Sequence, residues 1–93
     1  LASERILFAN DLAVAFEDAY PVSPGHALAV PRRHVGSWFD LTGEEKLAVL
    51  ELLDKLHARA VENCQPAAFN MGMNDGKAAG QTVPHVHLHL IPL

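Results

Sequence analysis

Residues 85–91 read His-Val-His-Leu-His-Leu-Ile, and this alternation constrains the chain more than any other feature. A period of two is that of an extended strand, with His85, His87 and His89 on one face and Val86, Leu88 and Leu90 on the other. The aliphatic face can pack on a helix. The imidazole face needs another account, because aliphatic and β-branched side chains fit a pleated surface better. A solvated face that happens to be rich in histidine is the bland account. Metal binding is the second, since alternating histidines can chelate zinc. At about 3.3 Å per residue, however, the outer histidines of a strand stand about 13 Å apart, too far to meet at one ion. A neighbouring pair joined by His26 or His34 would still build such a site. Covalent catalysis is the third: neutral imidazole is a competent nucleophile at neutral pH. Its neighbours can donate hydrogen bonds or protons to anionic oxygens, and phosphoryl-type transfer asks mainly for positioning and charge stabilisation.

The rest of the sequence bounds what such a strand can belong to. With 93 residues, 49% of them hydrophobic and 19% charged, the chain is expected to form one globular domain over 1–93. It opens at Leu1 rather than Met and stops just after an apolar run, so truncation at both ends is expected. A formal net charge of −4 argues against a general grip on nucleic acid, which rests on phosphate neutralisation. Cys64 is the single cysteine, which excludes an internal disulfide and a cysteine-based zinc site. No apolar run approaches the roughly 20 residues of a membrane span. With no signal peptide in view, the expected location is cytoplasmic.

Ile6–Ala9 and Leu12–Phe16 predict a hairpin turning at Asn10-Asp11. Pro21, Ser23, Pro24 and Gly25 predict a loop, and His26–Val30 a third strand ended by Pro31. Thr42 and Glu45 have capping-box spacing, and Leu47, Leu50, Leu53, Leu56, Ala60 and Cys64 follow at helical intervals to Pro66. Leu52, Val49 and Val61 widen the apolar arc past half the circumference, more than one sheet face covers. A helix shared between subunits would use the surplus. Ala67–Met73 predicts a fourth strand, Asn74-Asp75-Gly76 a turn, and 85–91 the last strand. Strands, one long helix and strands again predict an α+β fold: a mostly antiparallel sheet of about five strands with one long helix.

The histidine row, together with Phe16-Glu-Asp18, Pro24-Gly-His26-Ala-Leu-Ala-Val-Pro31, Asn74-Asp-Gly76 and Gly80-Gln-Thr-Val83, resembles the histidine triad (HIT) superfamily of nucleotide hydrolases and transferases. The resemblance runs along essentially the whole chain. It is closest to bacterial HIT proteins and to the dinucleoside polyphosphate hydrolase branch, and the third histidine separates it from the uridylyltransferase branch, which has glutamine there. It implies a HIT-like fold, a homodimer with a continued sheet, and no cofactor or metal. The ligand it implies is a conjugate of adenine or another purine nucleotide: a dinucleoside polyphosphate, a phosphoramidate or an acyl-adenylate. By the same resemblance, His87 would attack the α-phosphorus and carry the nucleotidyl group, with His85 orienting it and His89 facing the phosphate oxygens. Gln81 and Thr82 would contact the phosphate and leaving group, with Gly80 beside them. Asn74 would contact the α-phosphate or ribose, and Asp18 the ribose hydroxyls. Phe16 and Leu7 would line the base pocket, and His26 would be a further site histidine. His34 and His57 are read as surface or packing residues. Each assignment has a plainer alternative: Phe16 as core, Asp18 as a strand end, Asn74, Gly76 and Gly80 as turn residues. The whole chain would alternatively be a nucleotide-binding regulatory protein with weak activity, or a metal-binding protein.

Overall fold

A computed structural model describes residues 5–93. Strand β1 (Ile6–Ala9) turns at Asn10, whose Oδ1 accepts the N–H groups of Leu12 and Ala13 at 3.1 and 2.8 Å. This side-chain turn delivers the chain into β2 (Ala13–Glu17). β3 (Ala27–Pro31), α1 (Gly43–Cys64), β4 (Phe69–Gly72) and β5 (Leu88–Pro92) follow. The five strands form one antiparallel sheet in the order β1-β2-β3-β5-β4, so the expected α+β architecture with one long helix is what forms.

The helix starts where its chemistry directs. Thr42 Oγ1 accepts the Glu45 N–H at 3.1 Å, while Glu45 Oε1 accepts the Thr42 N–H at 2.8 Å. Arg33 grips the same carboxylate at 2.8 and 2.9 Å, which ties the turn after β3 to the start of α1. The helix ends at Gln65, which takes a left-handed conformation (φ 47°), one residue before Pro66.

Small residues let the helix approach the sheet. Ala13, Ala15, Ala27 and Ala29 face Val49, Leu52 and Leu56, and Leu88 and Leu90 complete this core. Emptying the fully buried Leu52 site to alanine would cost about 2–5 kcal/mol. The opposite sheet face carries Phe16, Leu28 and Val30, with Val14 beside them, and the site is built there.

The helix presents Val49, Leu52, Leu56 and Ala60 to the core and leaves Leu47, Leu50, Val61 and Cys64 exposed, so its apolar arc exceeds what its own sheet covers. Four strand bounds are corrected. β2 omits Leu12, whose N–H is held in the Asn10 turn, and β3 omits His26, whose ring closes a loop. β4 is Phe69–Gly72 rather than Ala67–Met73. Most consequentially, β5 begins at Leu88, so His85 and His87 lie outside the strand. The β3–β5 ladder runs Ala27↔Leu90, Leu28↔His89, Ala29↔Leu88. In that register Pro31 would face Val86, and proline has no N–H to continue the ladder. The Val86 N–H bonds instead to Val35 O at 2.7 Å, and Val86 packs with Val35 and Leu41.

Candidate active site

The segment 85–87 is fastened to the last residue of β3 and to the turn that follows it. The buried His85 donates Nε2–H to Pro31 O at 2.9 Å, which fixes its tautomer and turns its ring away from solvent. Burial holds its pKa below the ordinary imidazole value, and the neighbouring His34 and His87 push the same way, against the Pro31 bond. His34 lies edge-on to His85, with ring centroids 4.7 Å apart, an exposed residue in the packing role expected of it. The next link is the main chain: His87 donates Nδ1–H to the His85 carbonyl at 3.0 Å. That bond leaves the lone pair of His87 on Nε2.

His87 forms part of the wall of a cavity of about 380 Å³ together with Phe16, Asp18, Ala19, Tyr20, Leu28, Thr82 and Val83. The sequence-predicted His87, Thr82, Asp18 and Phe16 thus meet in one place. His89 stands on β5 opposite Leu28 of β3 and Gly72 of β4, and Leu28 in turn stands opposite Phe16. Burial lowers the His89 pKa, as do His26 and His87, with Asp18 opposing.

His26 joins this group from the loop before β3. Its Nδ1 accepts the Val22 N–H at 3.1 Å, which places the ring proton on Nε2. Its ring meets His89 edge-on at 5.9 Å, and Nε2 lies 3.4 Å from Asp18 Oδ2, too poorly aligned to bond. Asp18 Oδ1 accepts the Tyr20 N–H at 2.8 Å, and the Asp18 N–H bonds His26 O at 3.0 Å. Gly25 (φ 88°) makes this loop passable: a Cβ there would stand 3.0 Å from Cys64 Sγ and 3.1 Å from Pro92 Cγ.

Asn74, Gly80 and Gln81 are not in the cavity wall; they shape the loop that carries Thr82. Gln81 Oε1 accepts the Gly76 N–H at 2.6 Å and its Nε2 donates to Gly36 O at 2.8 Å. Asn74 Nδ2 donates to Ala79 O at 2.5 Å, and Gly80 (φ 92°) closes the turn on Lys77 O at 2.9 Å. Asp75 anchors the loop by accepting from Ser37 Oγ at 3.0 Å and the Trp38 N–H at 2.8 Å. Leu7 is corrected: it packs against the helix-side core rather than the cavity. His57 packs on Phe69, ring centroids 4.8 Å apart. Sequence reasoning missed Tyr20 and gave no role to Val83, Asp75 or the Pro31 carbonyl, although all but Tyr20 stand inside the runs quoted for the resemblance.

Two negative findings hold among the described residues. No three of His, Cys, Asp and Glu gather closely enough to hold a metal ion, and no helix is long and apolar enough to cross a membrane. The chain does not run as one strand through His85, His87 and His89, so the roughly 13 Å separation of an extended strand does not apply to them.

The model of the HIT domain matches residues 2–93. The chain belongs to the histidine triad (HIT) family. Bis(5'-nucleosyl)-tetraphosphatase (asymmetrical) of Schizosaccharomyces pombe is 38% identical over 88 residues, 95% of this HIT chain and 48% of that protein. Bis(5'-adenosyl)-triphosphatase of Dictyostelium discoideum is 36% identical over 92 residues, 99% of this chain and 62% of that one. The crystal structure of a HIT family protein from Bacillus anthracis superposes with a TM-score of 0.91 at 35% identity, covering 96% of this chain and 63% of that one. The HIT chain therefore spans about half to three-fifths of the length of these relatives.

Proposed function

We propose that this HIT protein hydrolyses or transfers nucleotide conjugates at the α-phosphate through a covalent nucleotidyl-His87 intermediate. The observation that carries this reading is the Nδ1–H bond from His87 to the His85 carbonyl, which leaves Nε2 with its lone pair on a residue of the cavity wall. The Nε2 lone pair bonds to the α-phosphorus as the bond from phosphorus to the leaving oxygen or nitrogen breaks. The leaving group takes the electron pair and a proton. Water then attacks phosphorus, the P–N bond breaks, and a nucleoside monophosphate departs. His89 and Thr82 face the phosphate oxygens and leaving group. Asp18 receives the ribose hydroxyls, a job for its carboxylate oxygens. His26 stabilises the His89–Asp18 side of the site, and Phe16 backs the base. Gly80, Gln81 and Asn74 set the phosphate-side loop, with one Gln81 amide N–H left for ligand. The substrate class is a purine nucleotide conjugate: a dinucleoside polyphosphate, a phosphoramidate or an acyl-adenylate. The names of the Schizosaccharomyces and Dictyostelium relatives favour the first.

The decisive experiment is mass spectrometry of acid-quenched enzyme after mixing with an adenosine conjugate, in wild type and His87→Ala. An adenylyl adduct on His87 in wild type alone is expected, with turnover falling at least about a thousandfold in the variant. Turnover by His87→Ala at the wild-type rate would refute the assignment.

We also propose that the protein works as an isologous homodimer. The exposed Leu47, Leu50 and Val61 form an apolar face on α1 that its own sheet does not cover, and Met71 is exposed on edge strand β4. A two-fold axis would let each helix offer that face to its partner while the β4 edges continue the sheet.

A further inference from the structure

Tyr20 is the most exposed large hydrophobic residue among those described, at 89%, yet its backbone is firmly held. Its N–H bonds Asp18 Oδ1 at 2.8 Å. The loop around it is closed by Asp18 N–H to His26 O, Val22 N–H to His26 Nδ1 and His26 N–H to Ser23 O. Ser23 Oγ further ties it to Pro92 O at 2.5 Å. Its ring is left in water while the loop that carries it is already ordered, so a flat ligand could cover the ring without a further cost in backbone entropy. Tyr20 belongs to the same cavity wall as Phe16, Leu28, Asp18 and His87, so a ligand in that cavity would lie beside it. That wall offers a carboxylate for a sugar, an imidazole for a phosphate, and an apolar remainder whose outer member is Tyr20.

We propose that Tyr20 is a specificity residue: the outer platform on which the base of the bound nucleotide stacks, favouring purines through their larger ring face. The proposal rests on reading this cavity as a nucleotide site. Flat π-faces stack on tyrosine whatever their hydrogen-bonding edges, so the platform selects for ring area rather than for one base. It does no chemistry, so its removal acts on binding and KM and spares kcat at saturation.

Calorimetric titration of the intact protein with AMP, CMP and ribose 5-phosphate tests this without turnover, so the result stands apart from whether His87 is the nucleophile. Tyr20→Ala is expected to weaken AMP about tenfold or more, CMP less, and ribose 5-phosphate not at all. Tyr20→Phe and Tyr20→Trp are expected to bind AMP as wild type does, because the ring and not the hydroxyl stacks. Unchanged ribose 5-phosphate binding also reports that the loop remains folded. An equal loss for AMP and ribose 5-phosphate, no loss for AMP, or a loss of AMP binding in Tyr20→Phe would each overturn the proposal. So would an equal loss for AMP and CMP.

Discussion

The carbonyl of Pro31 receives the Nε2 proton of His85 at 2.9 Å, although 54 residues separate them. Proline ends the ladder between β3 and β5 because it cannot donate, and its carbonyl is thereby free for an imidazole. A residue that gives no N–H to the sheet thus fixes the tautomer of His85, whose main chain in turn holds His87.

His85→Phe keeps the ring's bulk and removes the donor. It should lower kcat about a hundredfold by loosening the aim of His87, with KM little changed. The orphaned Pro31 carbonyl should cost about 1–3 kcal/mol of stability. Steady-state kinetics beside thermal melts separate the effects; wild-type kcat in a destabilised variant would deny His85 its orienting role.

Asp18→Ala should raise KM for ribonucleotide conjugates about tenfold, the scale of a lost hydrogen bond to a charged group. The wild-type preference for ribose over 2'-deoxyribose should vanish with it. Parallel KM measurements on both sugars decide the matter. A wild-type protein indifferent to the 2'-hydroxyl would show that Asp18 reads something else.

Glu45 should make the fold acid-sensitive. Its Arg33 hydrogen bonds, then the Thr42 backbone bond, hold its carboxyl down to about 2 from the usual 4.5. A pKa depressed by folding contributes stability that is complete above the unfolded value. That contribution is lost as pH falls through the folded one. Stability should therefore decline between about pH 4.5 and 2, and Glu45→Gln should flatten that part of the profile. Denaturant midpoints measured across this range would show identical slopes if Glu45 were not involved.

Leu50→Glu places a charge on the uncovered face of α1. It should convert a dimer to monomer at micromolar concentration while leaving the melting temperature of the subunit's own core largely intact, since Leu50 is exposed in the single chain. Light scattering of the unmodified protein provides the check: a monomeric mass there would leave the apolar arc without a partner.

The sequence spoke clearly where structure was set by neighbours in the chain. The Thr42–Glu45 box and the Asn10 turn formed as their side chains required. The histidine row misled at its start, because alternation of Val86, Leu88 and Leu90 looks continuous while the residue that ends the strand lies on β3. The width of the helix's apolar arc was legible, but not which part of it meets the sheet: Leu47 and Leu50 have the same spacing as Val49 and Leu52, and only the position of the alanine stripe selects between them. Phe16, Asp18, Thr82 and His87 were named from the sequence and do line one cavity. Tyr20 was passed over although Phe16 and Asp18 stand within four residues of it, because no local pattern says that its loop borders the segment of Thr82 and His87.

The end of the ladder at Leu88 divides the triad between two reference frames. His89 is seated in the sheet, flanked by Leu88 and Leu90 in the helix-side core, and shares that body's coordinates. His87, two residues earlier, is reached through Pro31, which ends β3 and still pairs with Ala13, and through Val35 in the turn beyond. The aim of His87 relative to His89 therefore depends on how the chain leaves β3, and not on the β3–β5 ladder that seats His89.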